Sequence, residues 1–231
     1  MKRLYRDVGV ADAPKGFVVV LDERPVRTPG RRQLVLPTRP LAEGIADEWR
    51  AQGTEIVPHA MPLMQLAATV LDDISVNRKA VETTILRFAE TDTVCYRAEQ
   101  PDALNKYQHI RWDPLLDWLT QYYGASLVKN SGILPIPQPK EAMLILAKMM
   151  EGMDDWRLGA FQSAAASSGS FVIALALIDA RIDADEAFHV AELESEFELD
   201  RWGDDPAAAA RRAVVASDLA AARRFHDLLG H

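Results

Sequence analysis

The stretch "FVVVLDERPVRTPGRRQLVLPTRPLAEGIADEWRAQG", residues 17 to 53, changes its periodicity part-way along. The first half consists of short β-branched runs broken by turn residues. "FVVVL" (17–21), "VRTP" (26–29) and "RRQLVLP" (31–37) follow one another, with "DERP" as a turn and Pro25, Pro29 and Pro37 as punctuation. Proline cannot donate to a sheet ladder, so runs bounded by it read as short strands joined by turns. After Pro37 the pattern switches. Thr38 is a candidate helix N-cap, Pro40 suits the first turn, and Leu41, Ile45 and Trp49 recur every fourth residue. Gly53 sits where a helix would stop.

Downstream, "VPHAMPL" (57–63) carries two prolines and reads as a connector. From Pro62 the periodicity is helical. It predicts helices near 62–74, 78–90, 101–123, 139–151, 155–167, 170–181, 183–202 and 206–229. "SGILPIPQP" (131–139) interrupts them with three prolines, which a helix interior does not hold. The expected fold class is therefore α+β. A small β-rich N-terminal domain with one helix, residues 1–58, precedes a larger, mainly α-helical domain, residues 59–231.

A chain of 231 residues with 48% hydrophobic content can bury a real core. Its formal net charge is -8 and its sequence pI about 5.2. Phosphate backbones and anionic lipid repel such a chain, and its short arginine pairs build no basic footprint. Nucleic-acid binding is not expected. No run approaches the ~18 apolar residues of a membrane span, so no membrane insertion is expected either. "FVIALALI" (171–178) fits a buried helix. The opening "MKRLYRDVGV" lacks the apolar core of a secretory signal, which suggests a bacterial cytoplasmic location. A mitochondrial matrix location follows instead if a targeting segment has been removed. The expected molecule is a soluble monomer without cofactor, since neither a Walker loop nor a dinucleotide fingerprint occurs.

Residues with catalytic potential are few. The single cysteine, Cys95 in "ETDTVCYRA", reads as a small core residue. His59, His109, His189, His226 and His231 are scattered, without paired ligand spacing. The best half-site combines His189 with Glu192 and Glu196 on one helix face. It motivates an alternative reading as a metal- or carboxylate-dependent hydrolase. "SSGS" (167–170) lacks the strand context of a nucleophile elbow, and Gly169 reads as a break between helices. Tryptophans 49, 112, 118, 156 and 202 are mostly expected as core anchors.

"HVAELESEFELDRWGDD" (189–205) holds seven acids. On a continuous helical wheel, Phe188, Ala191, Ser195, Leu199 and Trp202 share one arc, with Val190, Leu193 and Phe197 nearly opposite. Glu192, Glu196 and Asp200 fill one flank with His189. Glu194 and Glu198 fill the other with Arg201, the one cation at pairing distance along the helix. Glu192/Glu196 and Glu194/Glu198 are like-charge i,i+4 pairs, each costing about 0.2–0.5 kcal/mol. Such a face is either simply solvated or awaits a basic partner.

"LESEFELDRWG" (193–203) resembles the L-E-x-E-[YF]-Q-x-x-x-W-G signature of the ATP synthase assembly chaperones that bind the alpha subunit of the catalytic head, the second assembly-factor type. "KRLY" (2–5), "LDERPVRTP" (21–29), "ADEWRAQG" (46–53), "MPL" (61–63), "TDTVCYRAEQP" (91–101) and "WDPLLDW" (112–118) resemble further family motifs in the same order. The resemblance spans essentially the whole chain. It implies a non-enzymatic protein that binds the unassembled alpha subunit and prevents its aggregation until the beta subunit replaces it. It also implies a β-rich N-terminal domain before a helical one. Leu193, Glu194, Glu196, Phe197, Trp202 and Gly203 match the signature. Glu198 departs from the family's glutamine, and Leu4 from its phenylalanine. The implied partner-binding carboxylates are Glu194 and Glu196 first, with Glu192 and Glu198. Leu193, Phe197, Trp202 and Gly203 are expected to be structural, Trp202 as a packing anchor and Gly203 as a helix stop.

Overall fold

The computed structural model describes residues 2–132, 134–203 and 205–230. An N-terminal sheet precedes a larger helical region, as the periodicity predicts. Strands β1 (Val8–Ala13) and β2 (Gly16–Leu21) form an antiparallel hairpin in register Val8↔Leu21 to Ala13↔Gly16. Short β3 (Arg24–Pro25) and β4 (Val35–Leu36) both pair with β2. The hairpin turn after β2 is fixed from outside. Asp22 Oδ1 accepts the N–H groups of Arg6 and Asp7 at 3.0 and 2.9 Å. β1 was not visible in the sequence, because "VGVADA" is small and only half apolar. "VRTP" is not a strand; Arg27 makes only an isolated bridge to Gln33.

Helix α1 (Arg39–Arg50) starts at Thr38, whose Oγ1 accepts the Leu41 N–H and donates to the Leu228 carbonyl. Leu41, Ile45 and Trp49 are buried as their spacing predicts, and α1 lies against β1 and β2. The helix ends before Gly53. Gln52 supplies the stop, with Nε2 on the Glu48 carbonyl and Oε1 on the Val57 N–H. A tertiary contact starts the next helix, α2 (Pro62–Thr69). Buried Glu48 accepts the N–H groups of Leu63 and Met64 at 2.7 and 2.9 Å. A carboxylate there satisfies two otherwise orphaned donors at a helix N-terminus. A single π-turn, Val70–Ile74, joins α2 to α3 (Ser75–Glu90). Residues 1–78, 155–160 and 224–231 form one compact unit, and 79–154 with 161–223 form the other.

The second unit holds most of the helices. A short strand β5 (Tyr96–Arg97) pairs in parallel with β6 (Asn130–Ser131). The helices are α4 (Asp102–Tyr123), α5 (Lys140–Glu151), α6 (Asp155–Ser168, shared with the first unit) and α7 (Phe171–Ile178). They continue as α8 (Ala184–Ala191), α9 (Leu193–Trp202) and α10 (Pro206–Leu228). All eight residues of α7 are buried, so this short helix is the centre of the unit's core. Gly169, at φ 66°, makes the break before α7 that its sequence context predicts. Buried Asp92 then holds the N-terminus of α7, accepting Ser170 Oγ at 2.5 Å and the Val172 N–H at 3.0 Å. Cys95 is buried, and burial pushes its thiol up to about 12, which leaves it unreactive. No helix among the described residues is long and apolar enough to cross a membrane.

Candidate functional site

The acidic segment does not form the continuous helix that its wheel assumes. It breaks at Glu192, where φ is -97° and ψ is 14°, into α8 and α9. The two apolar stripes of the wheel therefore do not persist. One buried set remains, Ala187, Val190 and Leu193. The Val190 carbonyl anchors it to α4 by accepting Trp112 Nε1 at 3.0 Å.

The four candidate carboxylates have different surroundings. Glu192 is only 6% exposed and faces Arg211 of α10, which donates from both terminal nitrogens, to Oε1 at 2.8 Å and to Oε2. Glu196 is half-buried, 2.7 Å from His189 Nδ1, and Asp185 flanks that ring at 3.7 Å. Glu194 accepts from Gln108 Nε2 at 2.5 Å. Glu194 is exposed as a whole residue, but partial burial of its carboxyl pushes that group above the usual range; the Gln108 hydrogen bond opposes this, and the charge of Glu198 adds to it. Glu198 is exposed. The compensation that the wheel missed comes from other helices, since Arg211 and Gln108 lie far away in sequence. Arg201 lays its guanidinium over the Phe197 ring at 4.2 Å. The Asp200 side chain lies outside the described residues, as does His231.

Of the residues expected to be structural, Leu193 is fully buried and Phe197 half-buried. Gly203 closes α9 at φ 83°, its N–H on the Leu199 carbonyl. Trp202 is a correction. It is 84% exposed and so is no packing anchor among the described residues. An indole is a large apolar surface to leave in water, and partner interfaces are enriched in this residue.

Glu194 and Glu198 line one side of a groove of about 1220 Å³. The segments around β5 and β6 line it too, with Glu99, Leu134 and Ile136. Arg97 lines the groove but is committed elsewhere. It is 3% exposed, donates to Asp113 Oδ1 at 2.6 Å and to the Val94 carbonyl, and stacks on Trp112. Burial pushes Asp113 up, but hydrogen bonds from His109, Arg97 and Lys129 outweigh it and hold the carboxyl at about 2. Nothing local in the sequence signals this groove, because Arg97, Asn130 and Glu194 meet only in the fold.

The hydrolase constellation does not assemble. His189 meets Glu196, but Glu192 turns to Arg211. No group of three or more His, Cys, Asp or Glu among the described residues is placed to hold a metal.

Residues 2–120 match the ATP12 chaperone protein family. The chain belongs to this family. The mitochondrial protein atp12 of Schizosaccharomyces pombe is 24% identical over 214 residues, 87% of this chain and 74% of that protein. The crystal structure of Atp12 from Paracoccus denitrificans has a TM-score of 0.93 at 36% identity, covering 99% of this chain and 98% of that one. That of a candidate chaperone from Agrobacterium tumefaciens has a TM-score of 0.95 at 38% identity, covering 99% and 86%. Relatives thus come from both bacteria and mitochondria. Membership in the ATP12 family makes the chain a chaperone of ATP synthase assembly, not an enzyme.

Proposed function

We propose that this chain, as a monomer, binds the unassembled alpha subunit of the ATP synthase catalytic head and prevents its aggregation until the beta subunit replaces it. The observation that carries the reading is membership in the ATP12 family, with the motif resemblance along the chain. An orphan alpha subunit exposes apolar surface that it later buries against beta, and such surface drives self-association. The chaperone's cover has to be displaceable. Carboxylates steer encounter and register while a limited apolar area holds, which suits that need.

In this reading Glu194, Glu196 and Glu198 of α9 meet the partner, and exposed Trp202 adds apolar contact. Glu192 belongs to the same site through its grip on Arg211, which sets where α9 begins. Replacing both Glu194 and Glu196 by lysine should lower co-purification of the alpha subunit about ten-fold or more, with an unchanged far-UV spectrum. Wild-type yield from a folded double variant would remove the carboxylates from the site.

A further inference from the structure

The groove beside α9 has properties that the acidic helix alone lacks. Three carboxylates, Glu99, Glu194 and Glu198, line it from two separate elements. Glu99 lies beside Gly132, its Oε1 2.9 Å from where a Cβ on that glycine would stand. The cation within the groove does not neutralise them, because Arg97 is spent on Asp113. Yet Arg97 Nε is buried without a hydrogen-bond partner among the described residues, in a side chain 3% exposed. A buried N–H left unpaired is costly and marks a place for an acceptor. The groove also offers apolar surface. Leu134, at its edge, is 76% exposed. At about 1220 Å³ it exceeds the ~300–1,000 Å³ of a small-molecule pocket.

We propose that this groove is the seat of an extended, basic segment of the partner chain, whose lysine or arginine side chains lie between Glu99 and the Glu194–Glu198 pair. The inference rests on the proposed function for the partner's identity, but not for its chemistry. A main-chain carbonyl of the segment supplies the acceptor for Arg97 Nε. Apolar residues alternating with the cations cover Leu134 and Ile136. An inserted cation also relieves the repulsion between Glu194 and Glu198, which face each other one turn apart on α9.

Glu99 is the discriminating residue, since it lies outside α9 and outside the 193–203 signature. The full chain and its Glu99→Lys and Glu99→Gln variants are titrated, by fluorescence anisotropy, into two labelled peptides. One alternates lysine with leucine, the other glutamate with leucine. Capture of the whole alpha subunit is measured in parallel. The expected result is saturable binding of the lysine peptide only. Glu99→Lys should weaken it about ten-fold and Glu99→Gln less, and added salt should weaken it for wild type. Alpha-subunit capture should fall in the same order. Capture that is intact in wild type and in Glu99→Lys, with no lysine-peptide binding, would overturn the groove while leaving the proposed function standing. Glu99-dependent lysine-peptide binding without alpha-subunit capture would keep the groove and overturn the proposed function. Absence of both overturns both. Equal binding of the two peptides overturns the basic occupant.

Discussion

Asp92 is fully buried and accepts hydrogen bonds from Ser170 Oγ and the N–H groups of Val172 and Val94. Burial raises its carboxyl from 3.8 to about 6, against the pull of those donors. The folded chain therefore binds more protons than the unfolded chain between these values. The Asp92 contribution is fully present below about pH 4 and is lost as pH rises through 6, a difference on the order of 3 kcal/mol. Asp92→Asn should accordingly cost more stability at pH 4 than at pH 7, read from urea unfolding at both. A cost that grows with pH would reject this account of Asp92. Glu192 tests a second buried acid. Arg211→Ala leaves it without its cation and should cost about 1–3 kcal/mol, towards the low end because Arg211 is half-exposed and screened by solvent. A loss below about 0.5 kcal/mol, the range of an ordinary surface substitution, would mean that the pair does not hold α9.

Among the elements, α6 shows how closely the helices pack. A Cβ on Gly159 would stand 2.5 Å from Val70 Cγ2 and 3.2 Å from Ile74 Cδ1, at the π-turn between α2 and α3. Alanine favours a helix over glycine by about 1 kcal/mol, yet Gly159→Ala should destabilise by about 1–3 kcal/mol through overpacking. Differential scanning calorimetry reads this directly, and a raised Tm would contradict it. Most elements were legible because their signals are local. The Leu41–Ile45–Trp49 stripe, the prolines of 131–139 and Gly169 each act within a few residues. The break between α8 and α9 was not legible, because Glu192 is drawn to Arg211, 19 residues further on. Helix starts supplied from afar, by Glu48 for α2 and Asp92 for α7, leave no trace in the local sequence either. The candidate site followed the same division. Its α9 carboxylates were readable, while Glu99 and Leu134, brought to them by the fold, were not. Trp202 was misread because a motif tryptophan at helical spacing looks like core, and only exposure tells the two apart.

At the scale of the whole molecule, a net charge of -8 repels a second copy and attracts a basic partner. Association with the alpha subunit should therefore slow as salt rises, with a smaller effect on dissociation, measurable by stopped-flow or surface binding. A rate indifferent to ionic strength would assign recognition to apolar contact alone. The proposed function makes one demand: the chain would keep an aggregation-prone subunit soluble and then release it. The most direct test follows light scattering as unfolded alpha subunit is diluted into buffer with an equimolar amount of this chain, before and after adding beta subunit. The account predicts that scattering is suppressed by the chain, and that beta subunit then displaces it into an alpha–beta complex. Scattering that rises equally with and without the chain would contradict it.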